Sequence, residues 1–274
     1  MATAYVMRDE AMKQLVLIFC LLVGWPGPGL AQSPLQHVDL TSPDMTQAEM
    51  TREEVMAALA TASPEQPADF TSRKLSGLDL SGLDFKRAVL RSARLNKTNL
   101  TGANLAGAVL DQAWMLEADL TNANLKDANL FQAQLLKATL DGADLSGALI
   151  ASDLTGASMK NTRLVGANLS ADMRNQSMGL MRGVLASTNL DGADFTNANL
   201  SRTKFEFASM KGVILEGANL MRAEMGGADL TGARVTGADF TDADMTSAKL
   251  KDLIGVADSN LEQAASNLNL AFRK

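Results

Sequence analysis

Between Ala118 and Leu145, leucine recurs at every fifth residue without a miss, at Leu120, Leu125, Leu130, Leu135, Leu140 and Leu145. An alanine stands two residues before each, at Ala118, Ala123, Ala128, Ala133, Ala138 and Ala143, and the residue between is usually Asp or Asn. A period of five suits neither the 3.6-residue turn of an amphipathic helix nor the two-residue alternation of a strand. A unit A-(D/N)-L-x-x repeated so regularly decides the architecture before any local propensity does. Each unit can pack only on its neighbours, so stability is a sum of coils and the interfaces between them.

The run resembles the pentapeptide-repeat proteins. The resemblance implies an all-β solenoid: a right-handed quadrilateral β-helix with one pentapeptide per side and four per coil. In that family the central Leu or Phe and the small residue two before it point inward, and the other three positions face solvent. Elementary packing agrees, because one side of a narrow coil holds one large and one small inward group. The structural core is then expected to include Leu120, Leu125, Leu130, Leu135, Leu140 and Leu145 with Ala118, Ala123 and Ala128. Glycine recurs two residues after the centre, at Gly77, Gly82, Gly102, Gly107, Gly142 and Gly147, where a corner can use positive φ.

The repeats define the domain as residues 73–250. Centres fall every five residues from Leu75 to Ile150. Leu154 then follows by four, and Met159, Leu164 and Leu169 continue in fives. The pattern fails over SADMRNQSMG, residues 170–179, and resumes at Leu180 in the original phase. That reading gives 35 repeats, or about nine coils and roughly 40 Å of axis at strand spacing. The register break near 150–179 predicts a kink and a small surface loop. A composition of 46% hydrophobic but only 4% aromatic residues suits a coil filled by Leu and Ala.

Residues 1–31 read as a signal peptide. Lys13 precedes an apolar core from Leu15 to Trp25, Pro26 and Pro28 break it, and Gly29-Leu30-Ala31 offers small residues for cleavage. Translation from Met12 in place of Met1 would give a tighter signal peptide. The expected location is periplasmic or secreted, with no transmembrane span after cleavage. Cys20 is the only cysteine and His37 the only histidine, so the exported chain has no disulfide and no Cys-ligated metal.

Residues 32–72 form an acidic N-terminal segment of net charge −6, with Arg52 its one base. Thr51-Arg52-Glu53-Glu54 reads as a capping box opening a short helix to about Thr61, expected to cap the first coil. Its acids are expected to fold back on Arg87, Arg91 and Arg94. Residues 251–274 are read as a C-terminal cap, with Leu261, Ala264, Ala265 and Leu268 on one helical face.

The chemistry on offer excludes most enzymes: triads, His acid–base pairs and His or Cys metal sites need residues this chain lacks. The Asp and Asn before each centre favour turns by bonding nearby backbone, and are not read as a carboxylate pair. No catalytic, cofactor or metal site is expected, and no cofactor. Some members of the resembled family mimic DNA in shape and charge and bind DNA gyrase. Here residues 73–250 sum to zero charge, a poor copy of a polyanion, so no nucleic-acid-like role is expected and a topoisomerase inhibitor is the alternative reading. The favoured reading is a non-catalytic structural or adaptor protein that presents β-helix faces to a protein partner or a second copy. Trp114, Leu116, Phe131 and Leu136 break the polar rule for outward positions, and Leu116 and Leu136 lie 20 residues apart, one coil. They are the candidate partner contacts.

Overall fold

The computed structural model describes residues 38–171 and 181–274. Residues 1–37, which hold the expected signal peptide and His37, lie outside the described residues. Residues 41–274 form one compact unit, and residues 1–40 another, of which only the last three residues are described.

The ladder is built from one residue per repeat. The residue before each centre forms a parallel bridge to its counterpart 20 residues on, and these bridges fall into four columns. Side A begins Lys74–Arg94–Trp114–Gln134, side B Asp79–Asn99–Asp119–Thr139, side C Asp84–Asn104–Asn124–Asp144, and side D Asp69–Val89–Val109–Asn129–Leu149. Trp114 shows the bonding: its N–H donates to Ala93 O at 2.9 Å and its C=O accepts from Leu95 N–H at 2.6 Å. The rungs are isolated bridges and no strand grows longer, because a corner follows every centre.

Each corner is a turn closed by the N–H of the third residue on to the centre's carbonyl, as in Ala123 N–H to Leu120 O at 3.0 Å. The second corner residue sits in the left-handed region whatever its type, from Gly102 at φ 63° to Phe207 at φ 57°. At Gly142 and Gly147 glycine also leaves room for a side chain of the coil before. A Cβ there would lie 2.5 Å from Asn122 Oδ1 and 2.3 Å from Asp127 Oδ1, the corner side chains of the coil before.

The axis is filled as the repeat implies. Leu120, Leu125, Leu130, Leu135, Leu140 and Leu145 are fully buried, as are Ala118, Ala123 and Ala128. Where the small inward residue carries a hydroxyl, that group donates to the centre's carbonyl one coil back. Thr98 reaches Leu75 O at 2.9 Å and Thr188 reaches Leu154 O at 3.0 Å. A buried hydroxyl is tolerated because it is paired.

Several features extend or refine the sequence reading. The ladder starts before residue 73, since Phe70 is buried as a centre and Asp69 bridges Val89. After Ile150 the corner is the single residue Ala151, as the four-residue step to Leu154 implied, so Gln134 bridges Asp153, 19 residues on. The expected centre Leu180 lies outside the described residues; the next described centre after Leu169 is Leu185. Gly183 N–H closes the turn onto Leu169 O at 2.9 Å, so residues 170–182 replace a two-residue corner. Both irregular corners lie between sides D and A, in consecutive coils. Finally, the tail is not one helix. A 3₁₀ turn Val256–Asp258, a short helix Leu261–Ala264 and a 3₁₀ turn Leu268–Leu270 alternate with further rungs, Asp244 to Ser266 and Lys249 to Phe272. The tail therefore continues the coil for another turn, and the rungs run past residue 250.

Before the first coil come helix α1, Pro43–Thr46, and helix α2, Arg52–Ala60. Thr51 and Glu54 form a reciprocal capping box at the start of α2. The first coil has no coil beneath it to fill its backbone groups, and this segment supplies substitutes. Glu49 N–H donates to Lys74 O at 2.8 Å, and Lys74 N–H donates back to Glu49 Oε1 at 3.3 Å. The Arg52 guanidinium donates to Asp79 O and to Ser81 O, at 2.5 and 3.0 Å.

Candidate protein-interaction surface

The outward positions are the residue before each centre and the two at each corner, so the columns define the surface. On side A, Trp114 stands as a rung between Arg94 and Gln134. Leu116 and Leu136 are first residues of successive A–B corners, linked by Glu117 N–H to Leu136 O at 3.0 Å. Phe131 occupies the D–A corner next to side A in the same coils. All four are half-buried. They lie on two adjoining corners and the side between, so they form one band.

Sequence reasoning missed the other half of that band. Val89, Val109 and Leu149 are rungs of side D, each half-buried, and only Asn129 interrupts them. The apolar surface thus runs from side D across Phe131 to Trp114 and on to Leu116 and Leu136. Its signal was present as spacing, since 89, 109 and 149 share a phase with period 20. The most exposed large apolar residues lie elsewhere: Phe207 at 71%, and Ile254, Leu270 and Phe272 in the last turn. Phe207 stands two residues after the centre Phe205, a position the spacing marks as outward, and sequence reasoning passed over it.

Charge is arranged as pairs. Arg91 Nε meets Asp111 at 2.8 Å one coil on, and Lys97 meets Glu117 at 3.7 Å. In the N-terminal segment Asp44 pairs with Lys74 and with Arg94, the latter at 3.0 Å, and Glu49 pairs with Arg73 at 3.3 Å. Of the three arginines expected to receive the acidic segment, Arg94 does so through Asp44, Arg91 pairs with Asp111 and also meets the charge of Asp69, and Arg87 has no ion pair among the described residues. The Lys74 ammonium, followed by the Arg94 charge, holds the Asp44 carboxyl below the usual carboxylate range.

The Asp and Asn rungs are structural. Asp119 Oδ1 accepts from Thr121 N–H at 2.9 Å and from the Thr121 hydroxyl at 2.6 Å, a turn repeated at Asp153, Asp194 and Asp239. Such bonds lower the Asp239 carboxyl, the Thr241 hydroxyl contributing most. One oxygen of each of these carboxylates, Oδ1, is thus committed to the neighbouring hydroxyl and backbone. Among the described residues there is no cluster of three or more His, Cys, Asp or Glu able to hold a metal ion, and no helix long and apolar enough to cross a membrane.

The profile of the pentapeptide repeats matches in eight copies, over residues 68–102, 84–120, 103–147, 184–217 and 218–252, more than half of the chain. The chain belongs to the pentapeptide-repeat family. Members of that family wind as right-handed quadrilateral β-helices, and the four columns of rungs are the four sides of such a coil. Among solved structures, it is similar to HetL, a pentapeptide repeat protein involved in heterocyst differentiation regulation from the cyanobacterium Nostoc sp. strain PCC 7120. The identity is 29%, covering 79% of this chain and 96% of HetL, with a TM-score of 0.52. Full-length QnrB1, a plasmid-mediated fluoroquinolone resistance protein, aligns at 18% identity over 69% of this chain and 91% of its own, with a TM-score of 0.43. A pentapeptide repeat protein from the Arabidopsis thaliana thylakoid lumen aligns at 28% identity over 61% and 68%, with a TM-score of 0.20. No curated protein matches the chain. The fit to a family of generally non-enzymatic, structural or interaction proteins agrees with a surface whose carboxylates serve turns.

Proposed function

We propose that this pentapeptide-repeat protein is an exported, non-catalytic scaffold or adaptor. Its band of outward apolar residues, from Val89, Val109 and Leu149 through Phe131 to Trp114, Leu116 and Leu136, binds a protein partner or a second copy. The observation that carries the reading is the stacking of these residues on consecutive rungs and corners of adjoining sides, where the repeat elsewhere places polar residues. Aromatic and aliphatic side chains held rigidly on a coil remove much apolar area from water at low entropic cost when a partner covers them. Export rests on Lys13, the apolar run and Gly29-Leu30-Ala31. Closure of the first coil by α2, Glu49 and Arg52 belongs to the same reading, because a solenoid needs its ends covered to stay soluble.

The test is Trp114→Ala combined with Leu136→Ser in the exported chain. Self-association or partner recovery falls while the melting temperature hardly moves. A lowered melting temperature with unchanged association makes the band internal packing and removes the proposed surface. The topoisomerase-inhibitor reading gains nothing from the charge pattern: cations and anions alternate along the same columns, as in Arg91 with Asp111 and Arg222 with Asp242, where a DNA mimic needs unbroken negative charge.

A further inference from the structure

The N-terminal edge of the first coil is filled on only part of its rim. Side D is where the chain enters the coil. Side A is served by Glu49, and the carbonyls of side B by Arg52. Side C has no such substitute. In every later coil, the residue at the Asp84 position sends its N–H and its C=O toward the coil before, as Asn104 N–H does to Leu83 O at 2.9 Å and Asn104 O does in accepting from Phe85 N–H at 2.7 Å. Asp84 sends the same two groups beyond the edge, where neither has a partner among the described residues.

That gap is a cleft. It has a volume of about 320 Å³ and is walled on the opposite side by Leu59, Pro64 and Pro67, from the end of α2 and the segment after it. Lys86 and Arg87 form its corner wall, both exposed. Asp44 and Glu49 of the N-terminal segment pair with Lys74, Arg94 and Arg73, and Lys86 and Arg87 have no ion pair among the described residues. The Asp84 carboxylate also borders the cleft, but one of its oxygens is occupied by Lys86 N–H at 3.1 Å and Asn104 Nδ2 at 2.7 Å. The cleft therefore combines an unpaired edge donor and acceptor, an apolar wall and a net positive rim.

We propose that this cleft binds an extended acidic peptide segment of a partner protein by adding it as a rung beneath side C. Backbone bonds to Asp84 N–H and C=O supply the register, as in other recognition by strand addition. The peptide's aliphatic side chains lie against Leu59, Pro64 and Pro67, and its carboxylates meet Lys86 and Arg87. Proline in the opposite wall has no N–H with which to compete for the edge. The site is distinct from the apolar band, so Trp114→Ala with Leu136→Ser leaves it untouched and the two readings fail separately.

The probe is a fluorescein-labelled peptide of alternating Val and Glu, titrated by anisotropy against the full exported chain. Saturable binding is expected. It weakens about tenfold or more when Glu is replaced by Lys, when alternate amides are N-methylated, or in the Lys86→Glu, Arg87→Glu double variant. Both substituted residues are exposed, and an unchanged melting temperature verifies folding. On binding, the Asp84 amide becomes protected from hydrogen exchange. Equal affinity for the N-methylated peptide overturns strand addition, equal affinity for the Lys peptide or for the double variant overturns the acidic specificity, and an absence of saturation at millimolar peptide overturns the site.

Discussion

Replacing Leu125 with alanine removes a side chain that is fully buried between Leu105 below and Leu145 above, themselves fully buried. The loss has two parts. Roughly 0.8 kcal/mol of transfer energy goes with each buried methylene-sized group, about 2.4 kcal/mol for the three carbons removed. A cavity term is added wherever the surroundings do not collapse, which brings measured Leu→Ala costs to about 2.7–5 kcal/mol. Collapse is limited here, because bonds such as Leu125 N–H to Asp144 O at 2.7 Å fix the spacing of the coils on both sides. The expected cost is therefore about 3–5 kcal/mol. Two outward controls in the same coil set the scale. Lys126→Ala, at an exposed corner position with no side-chain bond, is expected within about 0.5 kcal/mol. Thr121→Ala is expected to cost about 1 kcal/mol, because its part-buried hydroxyl donates to Asp119 Oδ1 at 2.6 Å. Urea denaturation reads all three as midpoint shifts at constant slope. Equal losses for Leu125→Ala and Lys126→Ala would refute the inside–outside assignment on which the fold rests.

Three further outcomes are expected. N-terminal sequencing of the protein from its native fraction begins near Gln32; an intact Met1 or Met12 in the cytosol removes the export claim. Stability falls in acid: the carboxyls of Asp69, Asp79 and Asp239 are lowered, chiefly by hydroxyl hydrogen bonds from Thr71, Ser81 and Thr241. A lowered folded value means the native state binds fewer protons, so the contribution is complete above the unfolded Asp value of about 3.9 and is lost as pH falls through the folded values; a melting temperature flat from pH 6 to about 2.5 contradicts this. Arg52→Ala speeds hydrogen exchange at Leu80 and Gly82 while leaving Leu230 unchanged, and unaltered exchange at Leu80 shows that the guanidinium does not hold the edge.

Much of the fold was legible because the period is covalent information. Leu125 and Ala123 declare themselves by spacing, and Leu116 and Leu136 meet because four fives make one coil. The same periodicity does not carry the chain across residues 170–182. Leu180 lies outside the described residues, and among those described the ladder passes from Leu169 to Leu185, with Gly183 N–H donating to Leu169 O. Ala68-Asp69-Phe70 obeys the repeat and was hidden by the acidic context around it. The tail was illegible for a physical reason: Ser266 and Phe272 join the ladder at offsets of 22 and 23 residues, through short helical turns that break the period. Nor does spacing say which cations the N-terminal acids reach. That depends on where the chain crosses the first coil, so Arg94 is engaged while Arg87 has no ion pair among the described residues.

The claim that the band is a working surface is tested most directly by photo-cross-linking in the native compartment. A photoreactive residue is placed at Leu116 in one variant and at Lys126, on the C–D corner of the same coil, in another. The account predicts a discrete adduct, with a partner or a second copy, from position 116 and none from position 126. Equal yields from the two positions, or an adduct from 126 alone, would contradict it.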